Sequence, residues 1–540
     1  MRIAQAQMNP RLGDFESNAE KILSMSKLAL EQGCDLVLFP ESTLFGYLPL
    51  DMLEYDHLVE AQLKVFRSIE KSIPKGIAVM IGLISKAPKK SGKPYMNSAA
   101  LLQKGQKSRI FSKELLPNYD IFDEARYFAS GKIAQNVFKL KSKKFLVTIC
   151  EDIWAWGIDG YPSHYDENPI LKLKEKNLAA VINLSASPFY SGKLKLRHEV
   201  ANALAKRLKA PVIYTNMVGA QDEVIFDGAS FVINAHSQVV VQAPRFEEAL
   251  QVFELEMGSA KLKTSVKRAP DDIGTIFSAL VLGIHDYVSK TGFQKVHLGL
   301  SGGIDSAVVV SLAVAALGAE NVKGIAMPGP FSASESLSLA ATLAQNLRVE
   351  MFELPIEKTY DAGLKDLQKA FGNFDFGIVH ENLQSRLRGA FLMAYSNKEN
   401  SLLLTTGNKS ELATGYSTLY GDMCGALNPL GDLLKSQVYA LARFINSEQE
   451  VIPEGIIMRA PSAELRPNQK DQDSLPPYDE LDKAVQNLVE KSRSPKTQTE
   501  KWLFDRLAKT EFKRWQAPPI LKVRSHSFGR GRRMPIAAKY

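Results

Sequence analysis

Only three cysteines occur in the 540 residues, Cys34, Cys150 and Cys424. They are odd in number and far apart, which excludes a disulfide framework and fits no zinc-ligand spacing. A reducing compartment is expected. No apolar run approaches the roughly 18 residues that a membrane span needs, and the opening MRIAQAQMNPR carries no hydrophobic leader core. A cytoplasmic location with no membrane partner follows as the expectation. Long Lys/Arg runs and basic stripes interleaved with aromatics are missing as well. The formal charge of +8 suits either nucleic acid or polyanionic small molecules such as nucleotides, and the missing basic stripe favours the second.

What is present is the composition of a globular protein, with 45% hydrophobic and 23% charged residues. The chain is too long for one ordinary core, so two large domains or three small ones are expected. Residues 1–255 read as strands alternating with helical patterns, with strand-like runs at 3–7, 36–39, 77–83, 98–102, 145–149, 179–184 and 212–215 and a helix over 18–32. That predicts an α/β layered domain. Periodicity loosens over LEMGSAKLKTSVKRAPDDIG, so residues 256–275 are expected to connect it to a second domain at 276–540.

The second domain is organised around Ser301-Gly302-Gly303-Ile304-Asp305-Ser306, between an apolar run at 296–300 and the helix-like 308–313. Glycines let the backbone turn and approach a ligand, and successive N–H groups at a helix start make an anion pocket. A plain βα turn has glycines too, but an acid beside bound phosphates can also hold Mg²⁺. No Gly-Lys-Ser/Thr follows, so this is not a Walker A loop. Strand-like 322–326, 349–354 and 402–405 alternate with helical stretches at 336–346, 356–371 and 381–395. This predicts a Rossmann-like doubly wound parallel sheet, with its ligand crevice at the strand C-termini. Glu411 lies just beyond the last of these strands, where an acid by itself reads as a solvated helix start.

In the first domain three polar residues follow strand-like runs: Glu41, Lys113 and Cys150. Taken singly, each suits a solvated loop or a buried small side chain. Together they are expected at one sheet edge, where a thiol nucleophile would have a base for its proton and a lysine for its oxyanion.

The contexts FPESTLFGY, SKELLPNYDIFDEARYF and TICEDIWAW resemble the three signature segments of the nitrilase-type carbon–nitrogen hydrolases, in that family's order. The resemblance implies an αββα sandwich and an amidase with Glu41 as general base, Lys113 as the transition-state-stabilising lysine and Cys150 as nucleophile. In the glutamine-hydrolysing branch it implies that Tyr119, Ser187 and Lys193 hold glutamine. The loop at 301–307 resembles that of the N-type ATP pyrophosphatases, which split ATP to AMP and pyrophosphate while adenylating an oxygen acceptor. ENLQSRLRG, TTGNKSELATGYSTLYGD, PSAELRPNQKDQDSLPPYDELD and APPILKV narrow this to the synthetase segments of the glutamine-dependent NAD synthetases.

That family implies ATP as co-substrate, bound by Gly299, Leu300, Ser301, Gly302, Gly303, Ile304, Asp305, Ser306 and Thr406. It implies deamido-NAD held by Asn382, Glu411 and Lys522, and Mg²⁺ held by Asp305 and Glu411. Small-molecule substrates and a homo-oligomer are expected, and no nucleic acid. Of Arg386 and Arg388, one residue apart on a helix, at most one should face phosphate. MPGPFSASESL departs from the family by placing Glu335 where a glycine is usual, and the basic SHSFGRGRRMPI either closes over substrate or forms a tail. Pyrophosphatase-type loops serve several amidations and thiolations, so a different acceptor, such as a tRNA base, is the second reading. A non-catalytic nucleotide sensor is the third.

Overall fold

The computed structural model describes residues 1–158, 162–256, 259–261 and 272–538. The chain divides into two compact units, Met1–Gln221 with Ile225–Pro270, and Asp271–Tyr540 with Asp222–Val224. Among the described residues no helix is long and apolar enough to cross a membrane.

The first unit is built on two sheets. One has seven strands in the spatial order Ser259–Lys261, Ala249–Glu256, Arg2–Gln7, Leu36–Leu38, Ala78–Lys86, Tyr95–Gln103 and Arg109–Ser112. The other has six, Val239–Gln242, Phe231–Ile233, Val212–Asn216, Ala180–Ser185, Lys143–Ile149 and Val137–Leu140. Their apolar runs are buried on both faces, which is why they read as continuous rather than alternating hydrophobics. Ile3, Leu36, Met80 and Phe111 of one sheet share a core with Phe138, Phe145, Val147 and Ile182 of the other. On the outer faces, helices Phe15–Glu31 and Asp56–Ser72 bury Ile22, Phe66 and Ile69 against the first sheet. Helix Lys193–Leu208 buries Val200 and Leu204 against the second. The layers are helix, sheet, sheet, helix, as the nitrilase resemblance implies. The late strand Ala249–Glu256 pairs antiparallel with the first strand, Arg2–Gln7, so the end of the unit closes onto its beginning.

The single sheet edge expected for Glu41, Lys113 and Cys150 is not what forms. Glu41 and Lys113 follow strands of the seven-stranded sheet, whereas Cys150 follows Lys143–Ile149 of the six-stranded one. Period and strand order along the chain do not say which sheet a strand joins. Of the expected connection at 256–275, residues 257–258 and 262–271 lie outside the described residues.

The second unit holds a parallel sheet in the order Glu350–Glu353, Val322–Ala326, Val296–Gly299, Leu402–Leu403. The chain steps outward from Val296–Gly299 and then returns to its other side, which places a switch point beside that strand. Helix Ile304–Leu317 starts directly after the glycine loop. Gly302 sits at φ +76, and a Cβ there would lie 2.2 Å from the Ser336 carbonyl oxygen, so this loop tolerates only glycine at that position. Segment 525–536 is neither a free tail nor a wall of the cavity described below. Phe528 is buried with Leu481 and Leu503, Arg532 pairs with Glu511, and the Trp515 Nε1–H donates to the Met534 carbonyl.

Gly82 lies in strand Ala78–Lys86 under the turn that carries Glu41, where a Cβ would come within 2.2 Å of the Ser42 nitrogen and 2.4 Å of the Pro40 oxygen. Gly82→Ala is expected to destabilise the first unit by about 1–3 kcal/mol. Calorimetry checks this, and an unchanged unfolding midpoint would show that the turn gives way freely.

Candidate functional sites

In the first unit the Lys113 ammonium is removed from solvent between two carboxylates, 2.7 Å from Glu41 Oε1 and 2.8 Å from Glu124 Oε1. Glu41 is fixed further by the Asn97 side-chain amide at 2.7 Å and, on Oε2, by the Ala186 N–H at 2.9 Å. Tyr47 donates to Glu124 Oε1 at 2.6 Å. Burial alone would depress Lys113, but Glu124 and Glu41 outweigh it and hold the ammonium protonated well above the ordinary lysine range. Burial raises Glu124. Cys150 lies on a tight 3₁₀ turn, Cys150–Ile153, at φ +41, and is itself buried. Burial first, and then the Glu41 charge, push its thiol well above the usual range, with Lys113 opposing. A thiol so raised would need a base to take its proton before it could act as a nucleophile.

The residues expected to hold glutamine gather around the same turn. Tyr119 donates to Glu151 Oε1 at 2.9 Å, as Tyr165 does at 3.0 Å, and Glu151 adjoins Cys150 in the chain. Lys193 opens its helix with its ammonium 3.8 Å above the Trp154 ring, and burial together with Arg197 pushes it down to about 7. The Ser187 hydroxyl accepts from Arg197 Nε at 3.0 Å, and Arg197 in turn pairs with Asp227 at 2.6 Å. Sequence reasoning missed Glu124, although it lies in the segment that carries Lys113. Nothing local separates it from Glu114, and only the fold turns one inward.

In the second unit the strand C-termini open on a cavity of about 470 Å³. Gly299 through Ser306, Thr406, Asn382 and Glu411 all line it, and Lys522 does not. Lys522 instead donates from Nζ to the Ser525 carbonyl at 2.8 Å. At the loop, Ser301 Oγ lies 3.2 Å from Ser306 Oγ and accepts the Gly303 N–H. Asp305 and Glu411 meet at the buried Lys435, 2.5 Å and 3.5 Å from its ammonium. Asn408 organises the pair, donating to Asp305 Oδ1 at 3.0 Å and capping the helix Lys409–Thr414 that carries Glu411. Sequence reasoning places Asn408 on the rim of the crevice, just past the strand, and its position three residues before Glu411 is capping-box spacing, but it does not single out Lys435. Burial, then the Asp305 charge, push Glu411 up to about 8, while the two carboxylates raise Lys435 against its own burial.

Of the two neighbouring arginines, Arg386 is exposed, whereas Arg388 lines the cavity with Nε donating to the Met327 carbonyl at 3.0 Å. Burial lowers Arg388 to about 10. In the segment 327–337, Glu335 is exposed in the first helical turn, and the inward Ser336 donates to Glu464 at 2.6 Å. The Glu464 carboxylate also accepts from Arg459, at 2.8 Å. The atypical residue therefore does not disturb the cavity wall.

Among the described residues no group of three or more His, Cys, Asp or Glu side chains is placed to hold a metal. Two carboxylates beside a phosphate-binding loop are nevertheless a donor set that suits Mg²⁺, which takes one or two carboxylates and completes its shell with water and substrate phosphate.

An αββα unit with a buried Glu–Lys–Cys set, followed by a doubly wound unit with a phosphate loop, defines a carbon–nitrogen hydrolase fused to a nucleotide-dependent ligase. Residues 2–262 match the carbon-nitrogen hydrolase family and residues 276–517 the NAD synthase family. A glutamine-dependent NAD(+) synthetase of Synechocystis is 44% identical across 100% of this chain and 99% of its own. One from Thermotoga maritima is 38% identical over 100% and 99%. Among solved structures, the glutamine-dependent NAD+ synthetase of Acinetobacter baumannii in complex with ADP superposes with a TM-score of 0.79 at 36% identity, covering 99% of this chain and 98% of that one. That of Cytophaga hutchinsonii, at 19% identity with a TM-score of 0.83, shares the fold. The chain belongs to the glutamine-dependent NAD(+) synthetase family.

Folding raises Glu411, so between its ordinary value of 4.5 and about 8 the folded chain binds more protons than the unfolded one, and stability falls as pH rises through that window. Lys435→Met removes the compensating cation and steepens the fall. The variant is expected to lose about 1 kcal/mol more stability than the parent between pH 7 and pH 9, because the parent gives up the proton near 8 and the variant holds it. Urea denaturation at the two pH values measures this, and equal losses would contradict it.

Proposed function

We propose that the chain makes NAD from deamido-NAD, with ATP and with ammonia released from glutamine, yielding AMP, pyrophosphate and glutamate, the last step of NAD biosynthesis. The observation that carries this reading is the pairing, in one chain 44% identical to a glutamine-dependent NAD(+) synthetase over its whole length, of a buried Glu41–Lys113–Cys150 set with a phosphate loop. In this reading residues 1–255 are the glutaminase, 256–275 the connection and 276–540 the synthetase.

At the first site Cys150 Sγ attacks the side-chain amide carbon of glutamine. Glu41 takes the thiol proton and returns it to the nitrogen as the C–N bond breaks, so ammonia leaves and a thioester remains. The Lys113 ammonium, kept charged by its two carboxylates, offsets the oxyanion of the tetrahedral intermediate. Water, deprotonated by Glu41, then releases glutamate. Tyr119, Ser187 and Lys193 hold the glutamine.

At the second site a nicotinate carboxylate oxygen attacks the ATP α-phosphorus and pyrophosphate leaves. Ammonia then attacks the acyl carbon of the adenylate, and AMP leaves with the NAD amide formed. Adenylation is needed because a carboxylate is a poor electrophile toward an amine. Gly299, Leu300, Ser301, Gly302, Gly303, Ile304, Asp305, Ser306 and Thr406 bind ATP, and Asn382 and Glu411 bind deamido-NAD, whereas Lys522, outside the cavity lining, is left out of the set. Asp305 and Glu411 would hold Mg²⁺, which would neutralise phosphate oxygens as charge moves to the departing pyrophosphate. The substrates are small molecules and the reading includes a cytoplasmic setting. A homo-oligomer belongs to it too, favoured by the exposed Phe371, Phe376, Ile378 and Val379.

Cys150→Ala is expected to abolish NAD formation from glutamine while leaving formation from ammonium within about twofold, since only the first site loses its nucleophile. Product analysis with ATP, Mg²⁺ and deamido-NAD checks it. Absence of NAD from either nitrogen source in the parent protein would refute the assigned acceptor.

A further inference from the structure

The two halves of the glutaminase set stand on different sheets, so something must hold them in register. Asp152 is fully buried two residues after Cys150. Its Oδ2 accepts the Ile149 N–H at 2.8 Å, immediately before the nucleophile. Its Oδ1 accepts the Glu114 N–H at 2.9 Å and the Leu115 N–H at 3.0 Å, immediately after Lys113. One carboxylate thus ties the backbone that presents the thiol to the backbone that presents the ammonium. The need for such a tie is local as well, because Cys150 holds a left-handed conformation at φ +41 that a side-chain-bearing residue adopts only under restraint. The Asn183 amide reaches the Cys150 carbonyl only at 3.4 Å, a longer contact.

We propose that Asp152 is a positioning residue of the glutaminase, setting the distance from the Cys150 sulfur to Lys113 and Glu41 by clamping the Ile149 and Glu114–Leu115 backbones. This rests on the activity assigned above to Cys150. Displacing reacting groups by about 1 Å can cost about 100-fold in rate, so the consequence is expected in turnover rather than in glutamine binding, which other residues carry.

Asp152→Asn keeps a carbonyl oxygen for Glu114 and Leu115 but sets an amide N–H against the Ile149 N–H, and Asp152→Ala removes all three bonds. Expected are a fall of about 30-fold or more in kcat with glutamine, KM for glutamine within about threefold, and ammonium-dependent NAD formation within about twofold in both variants. Alkylation of Cys150 by iodoacetamide, followed by mass spectrometry, is expected to slow at least about threefold in Asp152→Asn. A glutamine kcat within twofold of the parent overturns the proposal. So does a parallel loss of both activities with a lowered unfolding midpoint, which would make Asp152 a general prop of the fold. If the parent releases no glutamate from glutamine, the assigned activity fails, and the alkylation rate decides alone: slowed supports the clamp, unchanged overturns it.

Discussion

A lysine ammonium with no solvent contact, wedged between two carboxylates, sets the terms for the first unit. Taking such a charge out of water costs several kcal/mol, and the cost is met only if the partners are close and themselves held. Glu41 meets that condition because Asn97 and Ala186 supply its remaining hydrogen bonds, and Tyr47 adds a second bond to the Glu124 oxygen that Lys113 contacts. The same arrangement keeps Lys113 charged and Glu41 in place beside a thiol that burial keeps neutral. The strain of assembling the set is therefore inseparable from its usefulness: charge that is costly to bury is charge that acts strongly on a reacting carbonyl.

The second unit repeats the device, again with one buried ammonium between two carboxylates. Two carboxylates, Asp305 and Glu411, face a cavity and are held apart from mutual repulsion by Lys435. Asn408 joins them by binding one and capping the helix of the other. Deeper in, Lys409 is buried against Asp432 at 2.8 Å and Glu490 at 3.0 Å, and Asp432 also accepts the backbone N–H groups of Val523 and Arg524. The C-terminal segment is thereby anchored to the helix that carries Glu411.

The glycine loop, the parallel strands and the cysteine-ending strand were all legible because each is a local pattern: a φ that only glycine adopts, an apolar run of strand length, a polar residue just past it. Strands at 322–326 and 145–149 and the helix after Gly303 stand where period and composition put them. The reading that failed was the placement of Glu41, Lys113 and Cys150 on one sheet edge. Glu124 and Lys435 were not singled out at all, for a related reason: each acts on a partner at a separation in sequence, or in a direction, that no local period encodes.

By itself, then, the sequence determined the two kinds of unit, the glycine loop and the candidate nucleophile, since these depend on residue type and on spacing within a dozen positions. Tertiary structure alone decided that the glutaminase set closes between two sheets, that Arg388 rather than Arg386 faces the cavity, and that Glu124 and Lys435 complete the two charge clusters. Those outcomes turn on which surfaces pack together, and burying a charge is tolerable only where packing has already brought its counter-charge within about 3 Å.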